Sequence, residues 1–405
     1  MLTLFFLLAA LLAVQSWIAW QDGPRFLRFV RRRLEQPVPD FSPPVTLICP
    51  CKGVDPDLDL NLRALLAQEY PDYEILFVVA DPADPARAVS EQLARRAGVP
   101  VRVIVAGPSP SRGEKVQNLL AGVAAARPES QVFVFADSDG RPPRRWLGTL
   151  VAHLELPPSG DQEPEIGAAS TFRWYIPDGD FLSGLQSAWN APAVTYMGEW
   201  KRNFCWGGGT AIRRRTFEEI DARRYWAGCV SDDYMLTRAL REAGRRIVFV
   251  PQCLVATHHS TTWARLLEWT TRQILITRVY EPRLWWPALG IHVFYCVTFL
   301  FGLLLAAVLL PDSPVRSGVI LLTLGAIAAL SVAKGAYRLM AALLLLPEHR
   351  RDLLRTWWSP TLQAALVPWL MTANLIASAC TRRITWRGVT YELRSPWETV
   401  VIARN

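Results

Sequence analysis

Residues 131–140 read QVFVFADSDG. An unbroken apolar run, Val132 to Ala136, ends abruptly at Asp137, Ser138 and Asp139. A short run rich in Val and Phe with polar residues at its ends reads as a strand buried on both faces, the kind found in parallel sheets. Open α/β sheets bind their ligands at the carboxyl ends of such strands. Two carboxylates at i and i+2 in a turn can approach one divalent cation through hard oxygen ligands. Taken alone, the stretch is explained as well by a strand followed by an Asp-rich turn.

The neighbouring sequence repeats the pattern. VTLIC (45–49), YEILFVVA (73–80) and VRVIVAG (101–107) are further strand candidates. Helical spacing of apolar residues fills the intervals at about 57–69, 84–97 and 115–126. Strands separated by helices of this length argue for right-handed βαβ units and a mostly parallel, Rossmann-like sheet. IGAAST (166–171) and RIVFV (246–250) extend it.

Both ends of the 405-residue chain carry apolar blocks, and 51% of the residues are hydrophobic, 17 of them Trp. Mean hydropathy is +0.15, high for a soluble protein. Residues 2–20 contain no charge and are about long enough to span a bilayer core. Arg25, Arg28, Arg31, Arg32 and Arg33 follow, which orients the amino terminus outward and the next domain toward the cytoplasm. Because the basic residues follow the apolar run, a cleaved leader is disfavoured. Residues 22–44 read as a basic juxtamembrane linker, Pro-rich from 37, and 45–262 as the α/β domain. Two aromatic, Arg-containing stretches, 180–205 and 263–288, read as interfacial helices. Three more apolar blocks, about 289–310, 316–333 and 361–380, lie in a carboxyl-terminal membrane region (289–381), and a tail occupies 382–405. Four crossings would put the carboxyl terminus outside, against the preference of Arg382, Arg383, Arg387 and Arg394, so one block is a candidate re-entrant or interfacial segment. The net charge of +8 comes from Arg beside apolar segments, which suits anionic lipid headgroups rather than nucleic acid. The seven Cys are scattered and odd in number, with neither zinc spacing nor a disulfide framework.

Further residues could carry chemistry. Asp81 follows LFVVA at a strand end, in a DPADP stretch that is also good turn chemistry. Lys115 and Asn118 open a helix after a Gly-containing loop, a ready phosphate site or a solvated first turn. GGGT (207–210) would let backbone approach a ligand closely, or is a flexible turn. SDDYML (231–236) sets Asp232 and Asp233 at a helix start, where capping explains one acid but not both.

The ordered set Asp81, Lys115, Asp137/Asp139, Asp233 and Arg272, with PCKGVDPDLDLNL (50–62), EKVQNL (114–119), SDDYM and TWRGVTYEL (385–393), resembles the family 2/21-type membrane glycosyltransferases, ceramide glucosyltransferases among them. The resemblance runs nearly end to end. It departs at DSD, where the lipid glucosyltransferases carry a DSG-type triplet, and at Trp269-Thr-Thr-Arg272-Gln273, where Gln replaces a Trp. The resemblance implies a GT-A domain and an integral, multi-pass membrane protein with its catalytic domain on the cytoplasmic side, as in a bacterial inner membrane. It implies inverting transfer of a hexose, glucose first, from a UDP-sugar to the primary hydroxyl of ceramide or a ceramide-like lipid. By the same resemblance Asp81 holds the uracil and ribose and Asp137 lies under the nucleotide. Asp139, with Asp137, binds Mg2+ or Mn2+, and Lys115 and Arg272 contact the diphosphate. Asp233 is the base with Asp232 as its fallback, and Trp269 lines the acceptor's approach. Another lipid acceptor (hopanoid, glycerolipid or carotenoid), a processive polysaccharide synthase, and a non-catalytic lipid-binding protein are the alternatives.

Overall fold

A computed structural model describes residues 1–156, 163–258 and 260–404. The chain forms two compact units: Met1–Arg32, Tyr175–Tyr196 and His258–Thr381 make one, and Arg33–Trp174, Met197–Thr257 and Arg382–Asn405 the other.

The second unit is built on a seven-stranded mixed sheet. Its strands β1 (Val45–Pro50), β2 (Tyr73–Val79), β3 (Val101–Val105), β4 (Val132–Ala136) and β5 (Ile166–Ser170) fall where the apolar runs put them. A short strand outside this sheet, β6 (Arg173–Ile176), follows. Strands β7 (Gly209–Arg213) and β8 (Arg246–Phe249) complete the sheet, and β9 (Val255–His258) again lies outside it. The order is β3-β2-β1-β4-β7-β5-β8. β4 and β2 are buried along their whole length, which is why their sequences are continuous rather than alternating. Helices Leu58–Leu66, Pro85–Ala94 and Glu114–Ala125 supply the crossovers between parallel strands. The last of these lies hard against the sheet: a Cβ on Gly122 would come within 2.4 Å of the Ile48 side chain. The mostly parallel, Rossmann-like half of this sheet is the one the strand and helix pattern predicts, and the whole agrees with the GT-A domain that the resemblance implies.

Strand β7 was not anticipated. It runs antiparallel between β4 and β5, pairing Ala136 with Gly209 and Phe135 with Thr210. GGGT is therefore not a free turn: Gly207 and Gly208 turn the chain directly into a central strand that starts at Gly209. Its register draws the glycines alongside the DSD turn.

The carboxyl-terminal tail is also folded. β10 (Arg383–Trp386), β11 (Val389–Ser395) and β12 (Glu398–Arg404) form an antiparallel sheet within the same unit as the catalytic strands. Arg387 and Gly388 turn the first hairpin, both with positive φ (45° and 78°), as a two-residue hairpin loop with strand-matching twist requires. The Tyr391 hydroxyl accepts from the Glu114 amide at 3.2 Å, and Arg404 pairs with the Glu114 carboxylate at 3.2 Å. A Cβ on Gly228 would meet the Trp397 carbonyl, so the tail also lies on the loop ahead of Asp232.

The first unit is helical. Leu2–Trp20 is followed by Asp22–Glu35, so most of the expected linker at 22–44 is a helix, its arginines on the polar side and Phe26, Leu27 and Val30 buried. Among the described residues, three helices are long and apolar enough to cross a membrane: Leu2–Glu35, Pro282–Leu309 and Pro314–Leu345. Trp358–Ala365 and Val367–Ala379 form a pair bent by 64°, a broken span or a re-entrant loop. Phe181–Tyr196 clusters with these helices, so the stretch expected as one catalytic domain (45–262) is interrupted by it. The expected interfacial segment 263–288 is also divided. Trp263–Tyr280 ends before Pro282, and Trp285 and Trp286 belong to the long apolar helix that follows.

Phe135 shows how the sheet is held. It is 1% exposed and packs edge-on against Trp226 at 5.3 Å, with Phe217 at 6.3 Å. Phe135→Ala should lower unfolding stability by about 3–5 kcal/mol, read from denaturant or thermal unfolding in detergent; a loss near zero would mean the site collapses without a cavity.

Candidate active site

Strand β4 delivers Asp137 and Asp139 at its carboxyl end, and neither carboxylate faces open water alone. Lys115, in the first turn of Glu114–Ala125, reaches Asp137 Oδ1 with its ammonium at 2.7 Å. Arg173, the first residue of β6, donates from Nη2 to Asp137 Oδ2 at 2.5 Å. It also donates to both oxygens of Asp139, at 2.9 and 3.1 Å. The Arg173 guanidinium lies 5.0 Å from the centroid of the Trp206 ring. Asp232, buried at the start of helix Asp232–Glu242, stands 3.4 Å from the Lys115 ammonium.

The glycines make this crowding possible. A Cβ on Gly207 would lie 2.1 Å from Asp232 Oδ2 and 2.6 Å from Lys115 Nζ, and one on Gly208 2.5 Å from Asp137 Oδ2. The backbone of GGG therefore forms one wall of the charged cluster. The DSD turn is tied from the other side. Asn61 donates to the Ser138 carbonyl at 3.3 Å, and Arg141 pairs with Asp57 at 3.0 Å. Residues of the PCKGVDPDLDLN stretch thus act as supports. The hairpin residue Arg387 donates to Asp55 at 2.7 Å and to the Lys52 carbonyl at 2.6 Å.

Electrostatics follow from this arrangement. Burial would lower the Lys115 ammonium, but Asp137, Asp232 and Asp233 outweigh it and raise it well above the ordinary lysine range. Burial would raise Asp139; Arg173 overrides it, with help from Arg387 and Lys115, and holds the carboxyl down at about 2. For Asp232 burial wins. Even with Lys115 beside it, desolvation together with Asp233 and Asp137 pushes the group up to about 7.

The expected residues fare differently. Asp137, Asp139, Lys115 and Asp232 come together. Asp233 follows Asp232 on the same helix turn, half-buried, where it accepts from the Ser231 hydroxyl and, at 2.8 Å, from the Tyr234 amide. Asp81 is exposed and accepts from the Ala83 amide at 2.8 Å, the turn contact its DPADP setting allows. Arg272 and Trp269 belong to the helical unit, on Trp263–Tyr280. There Trp269 packs against Tyr175 at 5.4 Å and Trp189 at 5.1 Å, and Arg272 lies 3.8 Å from Glu268. Asn118 is structural, donating to the Val78 carbonyl at 3.2 Å. Two cations escaped the sequence reading. Arg173 sits in STFRWY, which shows no spacing to flag it, whereas Arg387 lies in TWRG, where a folded hairpin could have been read from Arg-Gly between two β-rich runs.

Comparison with known proteins gives the same direction. The family model described as "Glycosyl transferase family 21" matches residues 3–398, nearly the whole chain. The chain belongs to glycosyl transferase family 21. A ceramide glucosyltransferase of Komagataella phaffii is 34% identical over 105 residues, which cover 24% of this chain and 20% of that protein. Among solved structures, a mannosyltransferase from Pyrobaculum calidifontis in complex with GDP-Man and Mn2+ is 18% identical with a TM-score of 0.46, covering 92% of this chain and 98% of its own. Glucosyl-3-phosphoglycerate synthase from Mycobacterium tuberculosis is 14% identical with a TM-score of 0.35, over 58% and 79%. The family 21 chain is a glycosyltransferase, with its acidic cluster at the strand ends of the sheet.

The raised Asp232 gives a pH test. Its folded value lies above its unfolded one, so folding takes up a proton between the two and stability falls as pH rises through that window. Between about pH 5 and 7.5 the wild type should lose more thermal stability than Asp232→Asn, compared in the same detergent. Equal losses would show Asp232 already ionised at the lower pH.

Proposed function

We propose that this family 21 enzyme transfers a hexose, glucose first, from a UDP-sugar to the primary hydroxyl of ceramide or a ceramide-like lipid, with inversion. The observation that supports it most is the convergence of Asp137, Asp139, Lys115 and Asp232 at the end of β4, with Asp233 on the same helix start. A buried cluster carrying this much charge is a poor stabiliser and a good ligand site.

Asp137 and Asp139 fit a divalent cation, Mg2+ or Mn2+. Their oxygens are hard donors, and they already converge on one cationic group, the Arg173 guanidinium. When bound, the ion neutralises charge developing on the departing nucleoside diphosphate. Lys115, at a helix amino terminus and protonated throughout the physiological range, stands ready for the same phosphates. Asp81, at the end of β2, is assigned to the uracil and ribose, and Arg272 to the diphosphate. Asp233 is the base: it is half-buried and reachable by an acceptor hydroxyl, whereas Asp232 is 4% exposed and enclosed by Lys115 and Gly207. A positioned base supplies about 10²–10⁴-fold, or roughly 3–5 kcal/mol of the barrier. Asp232 sets the charge around Lys115 rather than meeting substrate. The aromatic cluster at Trp269 is assigned to the acceptor's approach.

We further place the catalytic unit on the cytoplasmic side, as in a bacterial inner membrane, with an outward amino terminus. Strands β10–β12 belong to the same compact unit as the catalytic sheet, so the chain must return to that side before Arg382. In this reading Pro282–Leu309 and Pro314–Leu345, both long and apolar enough to span, cross out and back, and the bent pair is re-entrant.

Membranes carrying the enzyme, given radiolabelled UDP-glucose, UDP-galactose or UDP-N-acetylglucosamine and defined lipids, should label ceramide from UDP-glucose. Label on a hopanoid or glycerolipid alone would replace the acceptor, and no labelled lipid would overturn the activity. Asp139→Ala should abolish metal-dependent transfer, and Asp233→Asn should abolish transfer while UDP-sugar binding persists; loss of binding in the latter would make Asp233 a donor ligand instead.

The fold contains a reporter for topology. Cys380, just after Val367–Ala379, is exposed, while the other six cysteines are buried. An impermeant maleimide should label Cys380 in inside-out vesicles and spare it in right-side-out ones; the reverse pattern would make the bent pair a true crossing.

A further inference from the structure

In the second half of helix Pro314–Leu345 the apolar run is broken by two cations, Lys334 and Arg338. They are one turn apart and share a face. Arg338 is 5% exposed and its Nε is sealed from solvent, yet among the described residues it makes no hydrogen bond and no ion pair. Lys334 is little better served. Its ammonium lies 3.8 Å from Asp22, whose carboxylate already holds Arg25 at 2.8 Å, and Asp22 is also the acid that acts on Arg338 from farther off. Three cations thus gather around one carboxylate, an excess of two positive charges. A buried charge without a partner carries a large penalty. In a membrane-spanning helix, a charge turned inward in this way marks a place where a ligand or ion is met.

The depth of the cluster follows from the first helix. Asp22 comes just after the uncharged run 2–20, so it stands where that span leaves the hydrocarbon and meets the headgroups. Lys334 pairs with it and lies at the same level. Trp17 stacks on Trp20 at 4.8 Å, and Trp20 meets Tyr337 edge-on at 6.0 Å, the aromatic company that headgroup depth favours. The two helices approach closely there, since a Cβ on Gly23 would come within 3.0 Å of the Tyr337 side chain. The anion that abounds at this level is lipid phosphate. A guanidinium pairs with phosphate oxygens through two parallel N–H groups, and an ammonium joins as a point charge.

We propose that Arg338 and Lys334, with Arg25 at the rim, form a binding site for the phosphate of an anionic membrane lipid. Basic pockets between spanning helices recognise lipid headgroups by this chemistry. The cluster opens at Lys334 and Asp22, whose side chains are 18% and 33% exposed, and a headgroup enters there. The lipid is a resident of the helical unit rather than a substrate. The inference needs these helices to be membrane-embedded and owes nothing to the donor and acceptor proposed above.

The test offers the purified full-length chain, in detergent, an equimolar mixture of phosphatidylglycerol and phosphatidylcholine. Native mass spectrometry should show phosphatidylglycerol retained in preference, and it should raise the unfolding temperature more than phosphatidylcholine does. Lys334→Gln should weaken phosphatidylglycerol binding about fivefold, the worth of one basic group at an anionic surface, and Arg338→Met should weaken it further. Without lipid, Arg338→Met should unfold at the wild-type temperature or above it, because the change removes a buried charge that has no partner. Arg338→Lys keeps the charge but not the fork and should fall between Arg338→Met and wild type. Arg31→Gln, exposed on the same helix as Arg25, reports diffuse attraction and should keep the preference. A wild type without the preference overturns the proposal, as does a preference kept in Lys334→Gln and Arg338→Met or lost equally in Arg31→Gln. Inorganic phosphate that reproduces the phosphatidylglycerol shift also overturns it, by making the ligand a soluble anion. If Arg338→Met does not fold, Lys334→Gln decides.

Discussion

The ion pair between Lys115 and Asp137 is the contact on which the catalytic unit turns. It joins the amino terminus of a crossover helix to the carboxyl end of the central strand β4 at 2.7 Å, in a place nearly closed to solvent. Charges so placed are costly unless each has a partner, and here each does. Asp232 approaches the same ammonium from a second helix, and Arg173 closes the other side of Asp137. Removing Lys115, Asp137 or Arg173 leaves an uncompensated charge, so that part of the cluster is held by necessity as much as by attraction.

The remaining architecture serves to bring these groups within reach. Strand β7 runs beside β4 in a register that sets Gly207 and Gly208 against the carboxylates, and side chains larger than hydrogen would collide with them. The loop after β1 braces the DSD turn through Asn61 and Asp57. The carboxyl-terminal strands lie on both the Lys115 helix and the loop before Asp232, through Tyr391, Arg404 and the backbone at Trp397. A tail that reads as an appendage is thus part of the catalytic unit. Its hairpin holds Arg387 in a left-handed conformation from which it reaches Asp55.

In the helical unit the packing is of another kind. Phe5 and Leu12 of the first helix are buried against Tyr295, Leu305, Ile320 and Leu324, while the remaining faces expose Leu, Val and Ile. Polar contacts tie the helices at a few points, among them Asn374 to Thr270 at 2.9 Å and Trp285 to Ser378 at 3.0 Å. Helices with apolar outer faces and small polar links are what a hydrocarbon environment selects.

The sequence by itself determined the strand and helix series from Val45 to Ala136, because buried parallel strands and amphipathic crossovers impose local periods that survive into the structure. It determined the long apolar helices for the same reason, and it marked Asp137, Asp139, Lys115 and Asp232 through their positions at strand and helix ends. Only the tertiary structure decided what those positions mean together. Strand β7 is antiparallel, short, and starts at the last of three consecutive glycines, so no local pattern announced it. Arg173 is an ordinary basic residue until β6 carries it across to the DSD turn, 36 residues away in the chain from Asp137. The separate surroundings of Asp232 and Asp233, adjacent in sequence, were equally invisible, since burial against Lys115 and Gly207 arises from elements more than 20 residues away. Local periodicity is written in consecutive residues, whereas a charge network is written in contacts between distant ones. That is why the D-x-D stretch announced its strand from the sequence and acquired its counter-ion only in the fold.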